Sequence, residues 1–334
     1  MKVLHLGKYY PPYFGGIEKV NFDIVEGLNE SDIQTDVLCF NDNNNNDVNE
    51  NGYTIWRASR FAEKYSTPLS FSVFPLLHRI AKDYDILHIH LPNPVMCLAV
   101  LFCVTRRNKI VLHWHSDVVK QKLTYIIFKP IEQSILKRAA RIIVTSNDYL
   151  SGSVPLKRYK DKCVCVPIGI DSDEIKINQE LIKEIRLQYA TKKIIFSLGR
   201  FVYYKGFEFL LQAMKELSDD VVLLLGGGGP LESALKQYSV ENGLCNRVVF
   251  LGRIPNEHLG AYYSASHCFV LPSIERSEAF GVVLIEALSF SKPLITTAIP
   301  NSGVNYVNAN GVTGIVVNVR DSHDLAQAIQ GLFS

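Results

Sequence analysis

Within PSIERSEAFGVVLIEALSFSKP, Glu278 and Glu286 bracket the seven residues AFGVVLI, and in SLGRFVYYKGF, Arg200 and Lys205 stand between Gly199 and Gly206. The two cations follow the apolar run KIIFSL, at the carboxyl end of an expected strand, where open α/β sheets bind their ligands. An arginine grips phosphate oxygens with a planar fork and a lysine acts as a point charge. A helix opening at Gly206 adds the positive end of its dipole. An ordinary solvated charge is the alternative for Lys205 taken alone. Glu286 lies among Leu284, Ile285, Ala287 and Leu288, so an ionised carboxylate there needs hydrogen-bond donors, and sugar hydroxyls are such donors. Glu278, ahead of the expected helix, suits the hydroxyls of a sugar undergoing transfer, with free amides near Phe280, Gly281 and Val282 facing a diphosphate. Capping of that helix is the alternative for Glu278.

These residues need a scaffold, and the apolar pattern supplies one. Strand-like runs at 3–6, 35–40, 85–90, 109–115, 141–146 and 162–167 alternate with helical patterns. The alternation restarts at 193–200, 221–227, 247–252, 267–273, 293–297 and 313–319. Such alternation predicts βαβ units and two parallel sheets, an α/β protein with one sheet per half. Turn formers and charges in PIGIDSDEIKINQ, 167–179, mark the linker, which gives domains 1–170 and 171–334. After Gly206, an amphipathic helix is expected to turn Phe209, Leu210 and Ala213 inward. The Asn-rich run 41–52 cannot build a core and reads as a mobile surface loop.

Composition bounds the function. The chain has 334 residues, 47% hydrophobic and 20% charged, with a formal net charge of +2. That balance supports two cores and excludes the global basic field of a nucleic-acid binder. Seven cysteines, an odd number without a CxxC pair, read as reduced, buried thiols of a cytoplasmic protein. The N-terminus has no leader-like cleavage pattern and reads as a first strand. The longest apolar stretch, Pro94 to Val104, is shorter than the roughly twenty residues of a spanning helix and predicts a core helix.

Taken together, the E-x7-E pattern of Glu278 and Glu286 and the GR-x4-KG of 199–206 resemble glycosyltransferase family 4, retaining enzymes of the GT-B fold, of the bacterial surface-polysaccharide hexosyltransferase type. Other segments fall in the family's order: GGIE at 15–18, HWHSD at 113–117, PIGID at 167–171, GGGGPLESAL at 226–235, FLGRIP at 250–255 and GVTGIVV at 311–317. The resemblance implies two Rossmann-like domains facing a central cleft, the first on the acceptor side and the second holding the nucleotide sugar. It implies that Arg200 and Lys205 neutralise the departing diphosphate, that Glu286 binds the ribose and that Glu278 contacts the donor sugar. His115 then lies near the sugar's anomeric side and 6-hydroxyl, with His113 the weaker candidate. Gly15 and Gly16 form a phosphate loop, and the main chain near Arg253 and Ile254 meets the base. The family's members continue into a last helix that crosses back to the first domain; here the chain stops at Ser334, so that helix is expected to be absent.

The reaction so implied moves a hexose, mannose from GDP-mannose ahead of UDP-glucose or UDP-galactose, to a glycan or lipid-linked acceptor in O-antigen, lipopolysaccharide or capsule synthesis. It needs no cofactor and no metal. Asp171-Ser172-Asp173 is formally a DxD, but it lies in the linker and reads as turn chemistry. A nicotinamide dehydrogenase would need G-x-G-x-x-G after the first strand, and GGIE does not fit. A non-catalytic sugar-nucleotide binder and another GT-B activity, such as a sugar-nucleotide epimerase or a phosphorylase, are the remaining alternatives. The segment 118–141 interleaves Lys120, Lys122, Lys129, Lys137, Arg138 and Arg141 with Leu123, Tyr125, Ile126, Ile127 and Phe128, and KRYKDK at 157–162 adds further charge. A helix packed on the sheet with solvated lysines is the plain reading. A lipid-linked acceptor favours contact with an anionic membrane surface, so the protein is expected on the inner face of the plasma membrane.

Overall fold

The computed structural model describes residues 1–13, 15–43, 45–48, 52–64, 67–118, 122–171 and 175–333. It divides into two units, Met1–Ile168 and Gly169–Ser334. In the first unit the chain runs through β1 (Lys2–Leu6), α1 (Gly16–Glu30), β2 (Gln34–Asn41), β3 (Asn45–Val48) and β4 (Thr54–Ser59). A small hairpin of β5 (Ala62–Lys64) and β6 (Thr67–Leu69) and then α2 (Val73–Ile80) follow. Next come β7 (Ile86–Leu91), α3 (Pro94–Cys103), β8 (Lys109–Trp114), α4 (Lys122–Arg138), β9 (Arg141–Val144), α5 (Asn147–Gly152) and β10 (Cys163–Cys165).

The second unit contains α6 (Gln179–Gln188), β11 (Lys193–Leu198), α7 (Phe207–Met214), β12 (Val221–Gly226), α8 (Glu232–Glu241) and β13 (Val248–Gly252). It ends with α9 (Asn256–Ala265), β14 (Cys268–Leu271), α10 (Val282–Ser289), β15 (Leu294–Thr297), α11 (Val304–Val307), β16 (Gly314–Val317) and α12 (Ser322–Phe333).

The strand order of the second sheet is β13-β12-β11-β14-β15-β16, all parallel. This is the doubly wound order, which leaves a crevice where the order reverses, beside the carboxyl ends of β11 and β14. The first sheet, β10-β9-β8-β7-β1-β2-β4-β3, repeats that order with an added strand at one end and an antiparallel edge strand, β3, at the other. Parallel strands covered on both faces read as unbroken apolar runs. That is why VVLLLG of β12 is buried at every position. Helix starts are set locally: the Asn93 side chain accepts from the Met96 amide with Pro94 at the first turn, and Asn178 accepts from Leu181.

All twelve sequence-expected strands are present. The additions are β3 and β4 in the first sheet and the separate β5–β6 hairpin. β4 reads TIWRAS, and its buried Arg57 donates to the Pro11 carbonyl at 2.8 Å, so a charge interrupts the apolar signal of a true sheet strand. β3 lies in the Asn-rich run expected as a mobile loop; backbone pairing with β4 orders it as a strand despite its composition. Asn44, Asn49, Glu50 and Asn51 of that run lie outside the described residues. In α7 the core is filled by Phe207, Leu210, Leu211, Ala213 and Met214, with Phe209, expected inward, only half-buried. Among the described residues, no helix is long and apolar enough to cross a membrane.

Candidate functional site

In the second unit the loops after β11, β12, β13 and β14 meet at the carboxyl edge of the sheet. Phe201 donates its amide to the Gly228 carbonyl at 2.8 Å, Gly227 to Gly252 at 2.7 Å, and Ile274 to Tyr204 at 2.8 Å. Gly206 turns the chain into α7 with φ 65°, and a Cβ there would overlap the Pro272 carbonyl oxygen. Only glycine combines that left-handed backbone with so close an approach.

This turn drives Lys205 inward. Its ammonium meets the Glu278 carboxylate at 2.5 Å, with each side chain about 10% exposed. The Ser273 hydroxyl donates to the same carboxylate at 2.9 Å. Burial disfavours the Lys205 charge, but Glu278 and Tyr204 more than offset it, so its pKa lies above the ordinary lysine value. Lys205 is therefore a buried cation in an ion pair, not a solvated charge, and Glu278 pairs with it instead of capping a helix. Arg200 is exposed; with Lys205 it acts on the Tyr204 hydroxyl, whose pKa burial and Glu278 nonetheless raise.

α10 begins at Gly281, φ 81°, without a side-chain cap. Among the described residues no backbone acceptor takes the amides of Phe280, Gly281 or Val282, so this helix start keeps the free donors the sequence implied. Glu286, one turn on, is half-buried and accepts at 2.7 Å from Tyr263. Tyr263 is fully buried, and its hydroxyl's pKa is raised well above normal by burial and by Glu286. One of the donors that Glu286 needs thus comes from the protein. Arg253 is exposed, while the Ile254 side chain covers Gly226 so closely that a Cβ there would stand 2.6 Å from its Cδ1.

In the first unit, Gly15 precedes α1 as an extended residue with no side-chain cap. Both Gly15 and Gly16 are exposed. A Cβ on Gly16 would meet nothing within 4 Å, whereas one on Gly15 would overlap the Glu18 carboxylate. The helix start is open at Gly16 and shadowed by its own acidic residue at Gly15.

His115 lies just past β8, 6% exposed, within a group of five buried imidazoles. His5 stands on β1, His88 and His90 on β7, and His113 on β8, with His5 paired to His88 and His90 to His113 in strand register. Alternate residues of a strand share a face, so adjacent strands stack these rings. His113 and His115 lie 4.2 Å apart and nearly parallel, and His90 and His115 lie 5.2 Å apart. His5 Nδ1 meets Asn21 Oδ1 at 2.9 Å and His90 Nε2 at 3.0 Å; His90 Nδ1 meets His115 Nε2 at 2.9 Å. Burial, then neighbouring imidazoles, lowers the pKa of His88, His90, His113 and His115, and burial lowers that of His5.

The trios His5, His88, His90 and His90, His113, His115 each bring ring nitrogens within 4.8 Å of one another. Among the described residues, the side chains that shift these pKa values are the other imidazoles and Asn21.

The structure brings Arg200, Lys205, Glu278 and the start of α10 to one sheet edge. In α4, Lys129 and Lys137 are exposed, but Arg138 donates to the carbonyls of Val100 at 3.0 Å and Val104 at 2.6 Å. Lys162 likewise caps Lys137 and Ala139 carbonyls. Those two charges hold the fold and leave the basic patch. Lys120 and Asp173 lie outside the described residues. Sequence reasoning missed Tyr263, Ser273, Tyr204, Asn21, His5 and His90. Only the histidines carried a signal, since HIH and HWH place two imidazoles on one face of each of two strands.

Residues 178–334 match the family model described as glycosyl transferases group 1, and residues 14–174 match glycosyltransferase family 4. The chain is 33% identical over 336 aligned residues to the O-antigen chain mannosyltransferase C of Escherichia coli, covering 100% of this chain and 89% of that protein. It is 32% identical to the D-rhamnosyltransferase WbpZ of Pseudomonas aeruginosa, covering 100% and 87%. The solved structure of Anabaena Alr3699/HepE in complex with UDP-glucose superposes with a TM-score of 0.82 at 19% identity, over 100% of this chain and 90% of that one. This last likeness speaks to fold alone.

Proposed function

The chain belongs to the group 1 glycosyl transferases, with a family 4 first half and the GT-B fold, and from that premise we propose that it moves mannose from GDP-mannose, with retention, to a glycan or lipid-linked acceptor of O-antigen synthesis. The name of the O-antigen chain mannosyltransferase C supports mannose and the O-antigen setting, whereas the D-rhamnosyltransferase WbpZ is named for a different sugar.

The observation that carries the reading is the buried Lys205–Glu278 pair. In the structure each charge satisfies the other. A nucleotide diphosphate sugar replaces both halves at once: its phosphate oxygens take the Lys205 ammonium and the exposed Arg200, and its sugar hydroxyls donate to Glu278. Free phosphate would strand Glu278, and free sugar would strand Lys205, so the pair selects a ligand that carries both groups. Glu286, oriented by Tyr263, accepts from the ribose hydroxyls. The amides of Phe280, Gly281 and Val282 serve phosphate oxygens, and the main chain at Arg253 and Ile254 serves the base.

In the reaction, the bond from the anomeric carbon to the diphosphate oxygen breaks. The acceptor hydroxyl bonds to that carbon from the same face, and its proton passes to the departing diphosphate. Arg200 and Lys205 stabilise the charge that builds there, the electrostatic role that dominates such transfers.

GDP-mannose is expected to raise the melting temperature more than UDP-glucose or UDP-galactose, since a ligand at a hundred times its Kd stabilises by about 2.7 kcal/mol. No rise with any nucleotide sugar would overturn the assignment. Turnover is expected to survive EDTA, because Arg200 and Lys205 hold the diphosphate without a metal; activity lost to EDTA and restored by magnesium or manganese would refute this. A lipid-linked acceptor sets the exposed Lys129, Lys137 and Ile126 against anionic lipid, so co-sedimentation with anionic liposomes at low salt is expected. Protein that stays in the supernatant at low salt would remove that contact.

A further inference from the structure

We propose that Asn21, His5 and His90 are positioning residues that fix the tautomer of His115, so that His115 presents an N–H, and not a lone pair, at Nδ1. Asn21 Oδ1 is a carbonyl oxygen and only accepts. His5 Nδ1, 2.9 Å away, therefore carries the His5 proton. His5 Nε2 and Asn21 Nδ2 are both buried without a partner among the described residues, and with Asn21 Oδ1 facing His5 a proton on His5 Nε2 would add a second orphaned donor, which costs more than an orphaned acceptor. The His5 Nδ1–H is shared with His90 Nε2 at 3.0 Å, so His90 Nε2 accepts, and a neutral His90 carries its proton on Nδ1. That proton is donated to His115 Nε2 at 2.9 Å. His115 Nε2 thus accepts, and the His115 proton sits on Nδ1, the ring nitrogen for which the described residues supply no partner.

Three neutral imidazoles linked head to tail share one polarity, because reversing any one of them sets two lone pairs or two protons face to face. His115 is then a neutral donor to a ligand oxygen and cannot act as a base or nucleophile through Nδ1. This inference rests on the proposed placing of His115 at the donor sugar only for the identity of the oxygen that it meets.

The test is long-range 15N–1H correlation of the full chain with labelled histidine, where the two neutral tautomers give distinct patterns. His5, His90 and His115 should all report protonated Nδ1 at pH 7.5. In His90→Leu, His115 should shift to a mixture of tautomers, with turnover falling about tenfold and the KM for the sugar nucleotide within about twofold, the split of a transition-state contact. Asn21→Leu, at the inner end of the chain of hydrogen bonds, should shift the pattern of all three rings if His90→Leu fails to fold. An Nε2-protonated His115 in the wild type, or an unchanged His115 pattern in both variants, would overturn the relay. The spectra need no substrate. If they come out as expected while His115→Ala keeps full turnover, the relay stands and the functional placing of His115 falls.

Discussion

Lys205→Ala is expected to lower turnover by at least about a hundredfold, the scale of a lost charge at a developing anion. The same change strands Glu278 in a site where its side chain is about 10% exposed, and breaking a buried pair typically costs about 3–5 kcal/mol of stability. Activity alone therefore cannot separate chemistry from folding, but a second substitution can. In Lys205→Met with Glu278→Gln, the buried charges leave together and Ser273 can still donate to the amide oxygen, so the melting temperature should recover most of the loss. Turnover should not recover. Recovery of both would mean that the pair serves the fold alone, and near-normal turnover in Lys205→Ala would remove the phosphate role outright. Glu286→Ala should lose turnover on the same scale with a smaller change in stability, because Glu286 is half-buried and its change removes an acceptor of the neutral Tyr263 hydroxyl.

Acid should unfold this protein earlier than its carboxylates would dictate. Burial lowers the pKa of His5 to about 4 and that of His113 to about 3, and those of His88, His90 and His115 lie well below the ordinary value. Above about pH 6.5 all five are neutral folded and unfolded, and they contribute no pH dependence. Below it the unfolded chain takes up protons that the folded chain refuses, so stability falls as pH drops through the window from about 6.5 towards 4 and 3. Each histidine contributes up to about 1.4 kcal/mol per pH unit. For five together this amounts to a loss on the order of 5–7 kcal/mol by pH 5.5, comparable with the whole stability of a domain. Melting temperature measured from pH 7.5 to 5 should fall steeply, and replacing His88 by Phe should reduce the slope by about one proton. A flat profile down to pH 5.5 would show that water or protons reach these rings in the folded state.

The amino-acid sequence by itself determined the alternation of strands and helices, because parallel strands covered on both faces must be continuously apolar and their helices amphipathic. It also located Arg200, Lys205, Glu278 and Glu286, since charges beside glycines at strand ends or inside an apolar helix stand out against that pattern. Tertiary structure alone decided how these charges are spent. Lys205 and Glu278 are 73 positions apart, and nothing local shows that Gly206, in a left-handed turn packed against the Pro272 carbonyl, points the lysine at that glutamate. The partners Tyr263 and Ser273 are ordinary residues until the fold sets their hydroxyls against carboxylates. The sequence likewise showed that each HxH motif places two imidazoles on one strand face. That the two strands are neighbours, with β1 beside them, is a property of sheet order. Only that order converts separate histidines into one hydrogen-bonded chain, because imidazoles donate and accept over about 3 Å and must be brought that close by strand pairing.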